Sequence, residues 1–158
     1  MHPPIQNAPC WCPFKGRMPC SDNEHFEALT AAVFSARFNV DIVRDRWPAI
    51  RQAFAGFDLD RVASWPNGES ERLLAYPGMI RNRKKIMATL RNARVLLDKV
   101  RLHGSVHAYL LSHGSSTQAV IDDLDSWAHY IGAPSLRCYL DCIGFLATDS
   151  ERPALKKP

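Results

Sequence analysis

Between Gly78 and Ile86 the chain reads Gly-Met-Ile-Arg-Asn-Arg-Lys-Lys-Ile, and four of the five polar residues in that run are cations. Arg81, Arg83, Lys84 and Lys85, with Asn82 among them, have the charge and spacing to meet a nucleic-acid backbone. Each Lys or Arg set against a phosphate releases condensed counterions. The cations continue through Arg91, Arg94, Lys99 and Arg101, with Asp98 as the single acid between 81 and 101. Charge of that density rejects burial of the face that carries it; the alternative to phosphate contact is a solvated helix surface. A second stretch, Tyr130-Ile131-Gly132-Ala133-Pro134-Ser135, has the composition of a tight turn between helices. Gly132 permits a positive φ and close approach of a ligand. The amides that open the next helix, around Ala133 and Ser135, then face outward with the positive end of the dipole behind them, an arrangement that binds phosphate without reading sequence. An ordinary helix–helix turn has the same composition.

These stretches need helices to hold them. Apolar residues recur at helical spacing and no segment alternates with period two between hairpin turns, so the sequence predicts an all-α fold of many short helices. Ser21 or Asp22 caps a first helix carrying Phe26, Leu29, Val33 and Phe34, with Glu24 in its first turn. A second runs from near Asn39 to Phe54, with Pro48 as a kink or break. Asp58 caps a short helix holding Val62 and Trp65, Pro66-Asn67-Gly68 is a turn, and Glu69 to Tyr76 is another short helix stopped by Pro77-Gly78. The basic helix spans Arg81 to Leu102 and Ser105 opens a short apolar one. His113 to Ser116 is a loop, a helix follows from Thr117 to Tyr130, and a last one runs from Ser135 to Gly144.

At 158 residues and 46% hydrophobic content the chain supports a single folded domain with a real core. Residues 1–20, with five prolines and three cysteines, read as an irregular arm; 21–150 as the helical domain; 151–158 as a tail. The net charge of +4 is by itself only a weak pointer to nucleic acid. The start has no secretion-signal pattern, and no apolar run approaches a membrane span. The setting read from this is a reducing cytoplasm with free thiols and no membrane partner. Cys10, Cys12 and Cys20 make a Cys-x-Cys-x7-Cys pattern that lacks the paired spacing of a zinc site, and the histidines show no ligand spacing. The reading therefore includes no metal and no cofactor.

The words Gly-hydrophobic-Ile-Arg-Asn-Arg-x-Lys-Ile at 78–86 resemble a signature of the bacterial 3-methyladenine DNA glycosylase I family. Phe26-Glu27, the apolar helix after it, Phe57-Asp58, Arg61-Val62-Ala63 and Arg91-Asn92-Ala93-Arg94 follow the same order. The 130–135 turn is similar to the helix-hairpin-helix of the wider DNA glycosylase superfamily. The resemblance covers residues 21 to 149. It implies that fold, a partner of double-stranded DNA with a damaged base, and hydrolysis of the N-glycosidic bond of a flipped, alkylated base. The protein is taken as a monomer associated with the bacterial nucleoid.

The resemblance also assigns residues. The DNA contacts it implies are Arg37, Arg81, Asn82, Arg83 and Lys84, with Gly132, Ala133 and Ser135. Val33-Phe34-Ser35-Ala36-Arg37-Phe38 looks like the Leu-Leu-Ser-Ala-Gln segment of endonuclease III relatives, where the glutamine fills the space a flipped nucleotide vacates. Arg37 stands at that place and is either the filler or a surface cation. Phe34 and Phe38, with Trp11 and Phe14, are aromatic candidates for a pocket that holds a cationic purine. Asp149 matches the aspartate that follows the hairpin in the superfamily. Its carboxylate would stabilise positive charge developing on the sugar, or orient the attacking water; the alternative is a residue of a polar tail. Departures are specific. Ala32 matches the family's base-contacting glutamate and Val40 a tryptophan. The N-terminal Tyr-His-Asp-x-Glu-Trp-Gly block is absent, and Asp149 falls at the position of a zinc-ligating histidine. Pro134 stands where bifunctional relatives carry a nucleophilic lysine, so the implied chemistry is monofunctional. Two readings remain: a pocket rebuilt for another lesion, or a DNA-binding protein that keeps the helix-hairpin-helix scaffold without catalysis.

Overall fold

The structure is a computed structural model that describes residues 11–146. Within them it is all-helical: α1 (Asp22–Ser35), α2 (Val40–Ala53), α3 (Leu59–Ala63), α4 (Glu69–Ala75), α5 (Arg83–His103), α6 (Val106–Leu111), α7 (Thr117–Trp127) and α8 (Ala133–Cys142). None of the helices in the described residues is long and apolar enough to cross a membrane.

The central element is α1. Ser21 caps it by accepting the Glu24 amide at 3.2 Å, and the Glu24 carboxylate reaches back to the Cys20 amide at 2.8 Å. Every residue from His25 to Ser35 is buried, the polar His25, Glu27, Thr30 and Ser35 included. It packs on α2, α5, α6 and α8. Its one buried carboxylate, Glu27, accepts Trp47 Nε1–H at 2.8 Å and Arg51 Nε–H at 3.4 Å, which satisfies the charge within the fold. Trp127 Nε1–H donates to the Tyr109 hydroxyl at 2.8 Å.

α5 runs antiparallel to α1. Lys85 in its first turn meets the end of α1, while Asp22 at the start of α1 accepts the Val106 amide just beyond the end of α5. The helix begins at Arg83 rather than Arg81. Asn82 is extended and its side chain accepts the Lys85 amide at 3.1 Å, a cap that fixes the start. Pro48 lies inside α2 without ending it.

The N-terminal segment from Trp11 to Cys20 is irregular cover. It lies on the C-terminal end of α8, where Gly16 N–H donates to Cys142 C=O at 2.6 Å and Cys12 forms a disulfide with Cys142, Cα to Cα 5.9 Å. Cys138 is also disulfide-bonded, and Cys20 is free and exposed. This overturns the expectation of free thiols. A pair separated by 130 residues is made by the fold and leaves no trace in spacing.

Candidate nucleic-acid interface and base recess

The segment Gly78–Arg81 joins α4 to α5 and lies along α2. Gly78 has φ +89, and a Cβ there would meet the Ala49 Cβ at 2.7 Å, so both conformation and close packing require glycine. Met79 and Ile80 turn inward and are buried. Between this segment and the start of α2 lies an open recess of about 460 Å³, lined by Phe38, Ile42, Arg46, Gly78, Met79, Ile80 and Arg81. Arg46 is steadied at its rim by a 3.4 Å bond to the Gly78 carbonyl. Apolar walls with two guanidinium groups at the edge suit a flat ring joined to an anion. None of the lining residues is a carboxylate.

The basic run does not form one surface. Lys85, which the charge pattern places in solvent, is 3% exposed. Its Nζ donates to the carbonyls of Phe34 at 2.6 Å and Ala36 at 2.7 Å and lies 5.0 Å from the centre of the Phe38 ring. Burial pushes its pKa down to about 8. Arg83 is bonded to Glu71 of α4, and their hydrogen bond and mutual charge raise the arginine and lower the carboxylate. Arg37, Arg81 and Lys84 stay exposed and make no ion pair among the described residues.

The hairpin is tied to the same helix. Asn92 of α5 is 1% exposed; its Oδ1 accepts the His129 amide at 2.7 Å and its Nδ2 donates to the His129 carbonyl at 3.4 Å. Lys85 and Asn92 are seven residues apart. They therefore share one face of α5 and are separated by about 10 Å along its axis. One stripe of α5 thus holds the α1–α2 turn at one point and the start of the hairpin at the other. In the turn itself Gly132 has φ −100, and the positive φ falls on Tyr130, at +60, which corrects the role expected of Gly132. α8 begins at Ala133 rather than Ser135, with Pro134 in its first turn. The first helical bond runs from Leu136 N–H to Gly132 C=O at 2.9 Å. The amides of Ala133 and Ser135 therefore have no acceptor within the helix, and Pro134 has no amide to offer.

Over residues 15–131 the sequence matches the family model described as methyladenine glycosylase. The chain belongs to the methyladenine glycosylase family. Solved structures agree in fold. A crystal structure of 3-methyladenine DNA glycosylase I is 22% identical, with 84% of each chain covered and a TM-score of 0.70. The Staphylococcus aureus 3-methyladenine DNA glycosylase I is 17% identical, with 92% of this chain and 88% of that one covered and a TM-score of 0.75. A solution structure of 3-methyladenine DNA glycosylase I, described with alkylated-base recognition, is 20% identical, covers 83% and 81%, and has a TM-score of 0.66.

In this methyladenine glycosylase family member several residues named from sequence divide between the recess and the fold's own contacts. Phe38, Arg81 and Arg37 gather at the recess and the turn beside it, and Arg37 holds a left-handed φ of +54. Asn82, Arg83 and Phe34 are occupied within the fold: Asn82 caps α5, Arg83 pairs with Glu71, and Phe34 is wholly buried edge-on to Trp47. Phe34 therefore belongs to the core and has no surface for a base. Phe14 is likewise core, and Trp11 lies as cover 5.3 Å from Trp47. Asp149 lies outside the described residues. Ala32, at the family's glutamate position, is 2% exposed in α1. Sequence reasoning missed Ile42, Arg46, Met79 and Ile80 as recess walls, and Lys85 as a buried group. The last was legible: 85, 89, 92 and 96 form one helical stripe that ends in Leu96, and all four are buried.

Proposed function

We propose that this family member is a monomeric, monofunctional glycosylase that hydrolyses the N-glycosidic bond of an alkylated base flipped out of double-stranded DNA. The observation that carries the reading is the shared face of α5: Lys85 fixes the turn bearing Arg37 and Phe38, and Asn92 fixes the start of the hairpin. A duplex that spans the two elements held by that buried face meets the free amides of Ala133 and Ser135 at one phosphate and the side chains of Arg81 and Lys84 at others. Arg37 then fills the gap in the stack, at a cost of a few kcal/mol in lost stacking, and the extruded nucleotide enters the recess beside Phe38. An alkylated purine is a cationic leaving group. As the bond breaks its electrons return to the base, which departs neutral, and positive charge passes to the sugar. Asp149 supplies the carboxylate that stabilises this charge, and water adds at the sugar carbon and gives up a proton. Pro134, which carries no amine, offers no nucleophile for a Schiff base.

A second reading, a DNA-binding protein without catalysis, is favoured by Ala32 and by a recess whose lining contains no carboxylate. One assay separates them. Base release is measured from duplexes carrying methylated, deaminated or oxidised bases, with Asp149→Asn alongside. Release from methylated DNA, lost in Asp149→Asn with binding retained, supports the glycosylase. Salt-sensitive binding with no release from any lesion supports the second reading. Undiminished release by Asp149→Asn removes that residue from the mechanism.

A further inference from the structure

The α1–α2 turn raises a question that its own sequence does not answer. From Phe34 to Asn39 the chain leaves one helix, reverses and starts another. Arg37 takes a left-handed φ of +54 on the way, a conformation disfavoured for any residue with a Cβ. Such strain persists when neighbouring contacts determine it. The contacts within the turn are few: Ala36 N–H to Ala32 and Val33 carbonyls, and Phe38 N–H to Ser35 C=O at 3.1 Å. From across the fold come the Trp11 amide, which donates to Ser35 Oγ at 3.2 Å, and one ammonium. Lys85 Nζ bonds the carbonyls at 34 and 36, on either side of the last residue of α1, and sits over the ring at 38. Three contacts from a single ammonium bracket Arg37.

A buried lysine is a costly way to fill space, since desolvation acts against its charge. A role in packing alone would be met by Met or Leu. The C-terminal end of a helix is where a cation is best received, because its last carbonyls lack donor partners and carry the negative end of the dipole. At 3% exposure Lys85 itself has no route to DNA.

We propose that Lys85 is the positioning residue for base extrusion: it holds the 34–39 turn so that Arg37 points into the duplex while Phe38 walls the recess. This rests on the reading of that turn and recess as the DNA-facing site. Lys85 acts through the turn and touches neither substrate nor reacting atoms. Its ammonium, held charged at neutral pH by a pKa of about 8, keeps both carbonyl bonds and the ring contact together.

The test uses the full-length protein and a duplex with a methylated base beside 2-aminopurine, whose fluorescence rises when its neighbour leaves the stack. Lys85→Met matches the side chain in length and removes every donor; Lys85→Arg keeps charge and donors. Binding to undamaged duplex, the fluorescence rise, and single-turnover base release at saturating protein are measured. Release rates are compared on protein verified as folded by circular dichroism. The expected result for Lys85→Met is affinity for undamaged DNA within about twofold of the parent, and a fluorescence rise and release rate lower by about tenfold or more, as misplacement of a reacting group produces. Partial rescue is expected in Lys85→Arg. If Lys85→Met does not fold, Lys85→Gln, which retains an amide donor, is read by the same criteria. A folded variant that extrudes and releases base at the parent's rate overturns the proposal while leaving the glycosylase reading intact. A parent that neither extrudes nor releases a base from any lesion overturns both.

Discussion

α1 meets a basic side chain at each end, and the two are treated in opposite ways. In its first turns His25, 1% exposed, lies against His107 with ring centres 6.4 Å apart. Neither ring nitrogen of His25 has a hydrogen-bond partner among the described residues. Burial, and next the charge of His107, push its pKa down to about 4. At the other end Lys85 is as deeply buried; two carbonyls receive it, and burial lowers its pKa from 10.5 to about 8. At pH 7 the histidine is neutral and the lysine charged. That difference in charge follows from the ordinary values of the two groups, 6.5 and 10.5, since burial lowers both by a similar amount; the difference in hydrogen bonding follows helix polarity. A first turn presents amide donors and positive potential and offers an imidazolium nothing to bond; a last turn presents acceptors and negative potential. Whether a buried basic residue of this chain finds hydrogen-bond partners depends on the helix end it meets; its charge at neutral pH follows residue type.

That contrast can be broken in order of expected effect. Lys85→Met orphans two buried carbonyls and should lower unfolding stability by up to about 4 kcal/mol, read from urea denaturation; an unchanged midpoint would mean the bonds contribute nothing. The histidine end gives the next largest effect, through pH. Unfolded His25 takes up a proton near 6.5 and folded His25 only near 4, so acid favours the unfolded chain across that window. Stability present above pH 6.5 is lost as pH falls toward 4, by about 3 kcal/mol at 1.36 kcal/mol per unit. His25→Phe should flatten that part of the profile; an unaltered slope assigns it elsewhere. Asn92→Ala removes the neutral tie to His129 and should cost about 2 kcal/mol in the same denaturation experiment. Arg81→Ala, which removes an exposed cation, should leave stability within about 0.5 kcal/mol. It should reduce the salt slope of DNA binding by about one, measured by anisotropy between 50 and 200 mM salt as rough working limits; an unchanged slope removes Arg81 from the phosphate contacts. Gly132→Ala is the mildest. Gly132 has a negative φ, and its Cβ would lie 3.8 Å from Pro134 Cδ, an ordinary contact. Stability and DNA affinity should both hold within about 0.5 kcal/mol, and a larger loss would mean the turn needs a conformation it does not show here.

Much of the fold is legible in the chain because caps and turns are local. Asn39, Asp58 and Ser105 are read correctly as helix starts, Ser21 as one of two candidates with Asp22, and each accepts an amide within its own first turn. The site is less legible because its parts are decided by what lies across the core. Lys85 reads as solvated until the end of α1 is placed against it, and Arg83 reads as free for phosphate until α4 brings Glu71 to its exposed guanidinium. Phe34 and Phe38, four residues apart, divide between core and recess because the helix ends at Ser35 and the chain turns before Phe38. Gly132 was read for a freedom that Tyr130 uses instead.

The link from Cys12 to Cys142 has a topological consequence. It makes residues 12 to 142 a closed covalent ring in which all eight helices are strung like beads, with the seam beside the end of α8. A ring of that size narrows what the unfolded chain can explore, so opening it with a reductant should lower the urea midpoint.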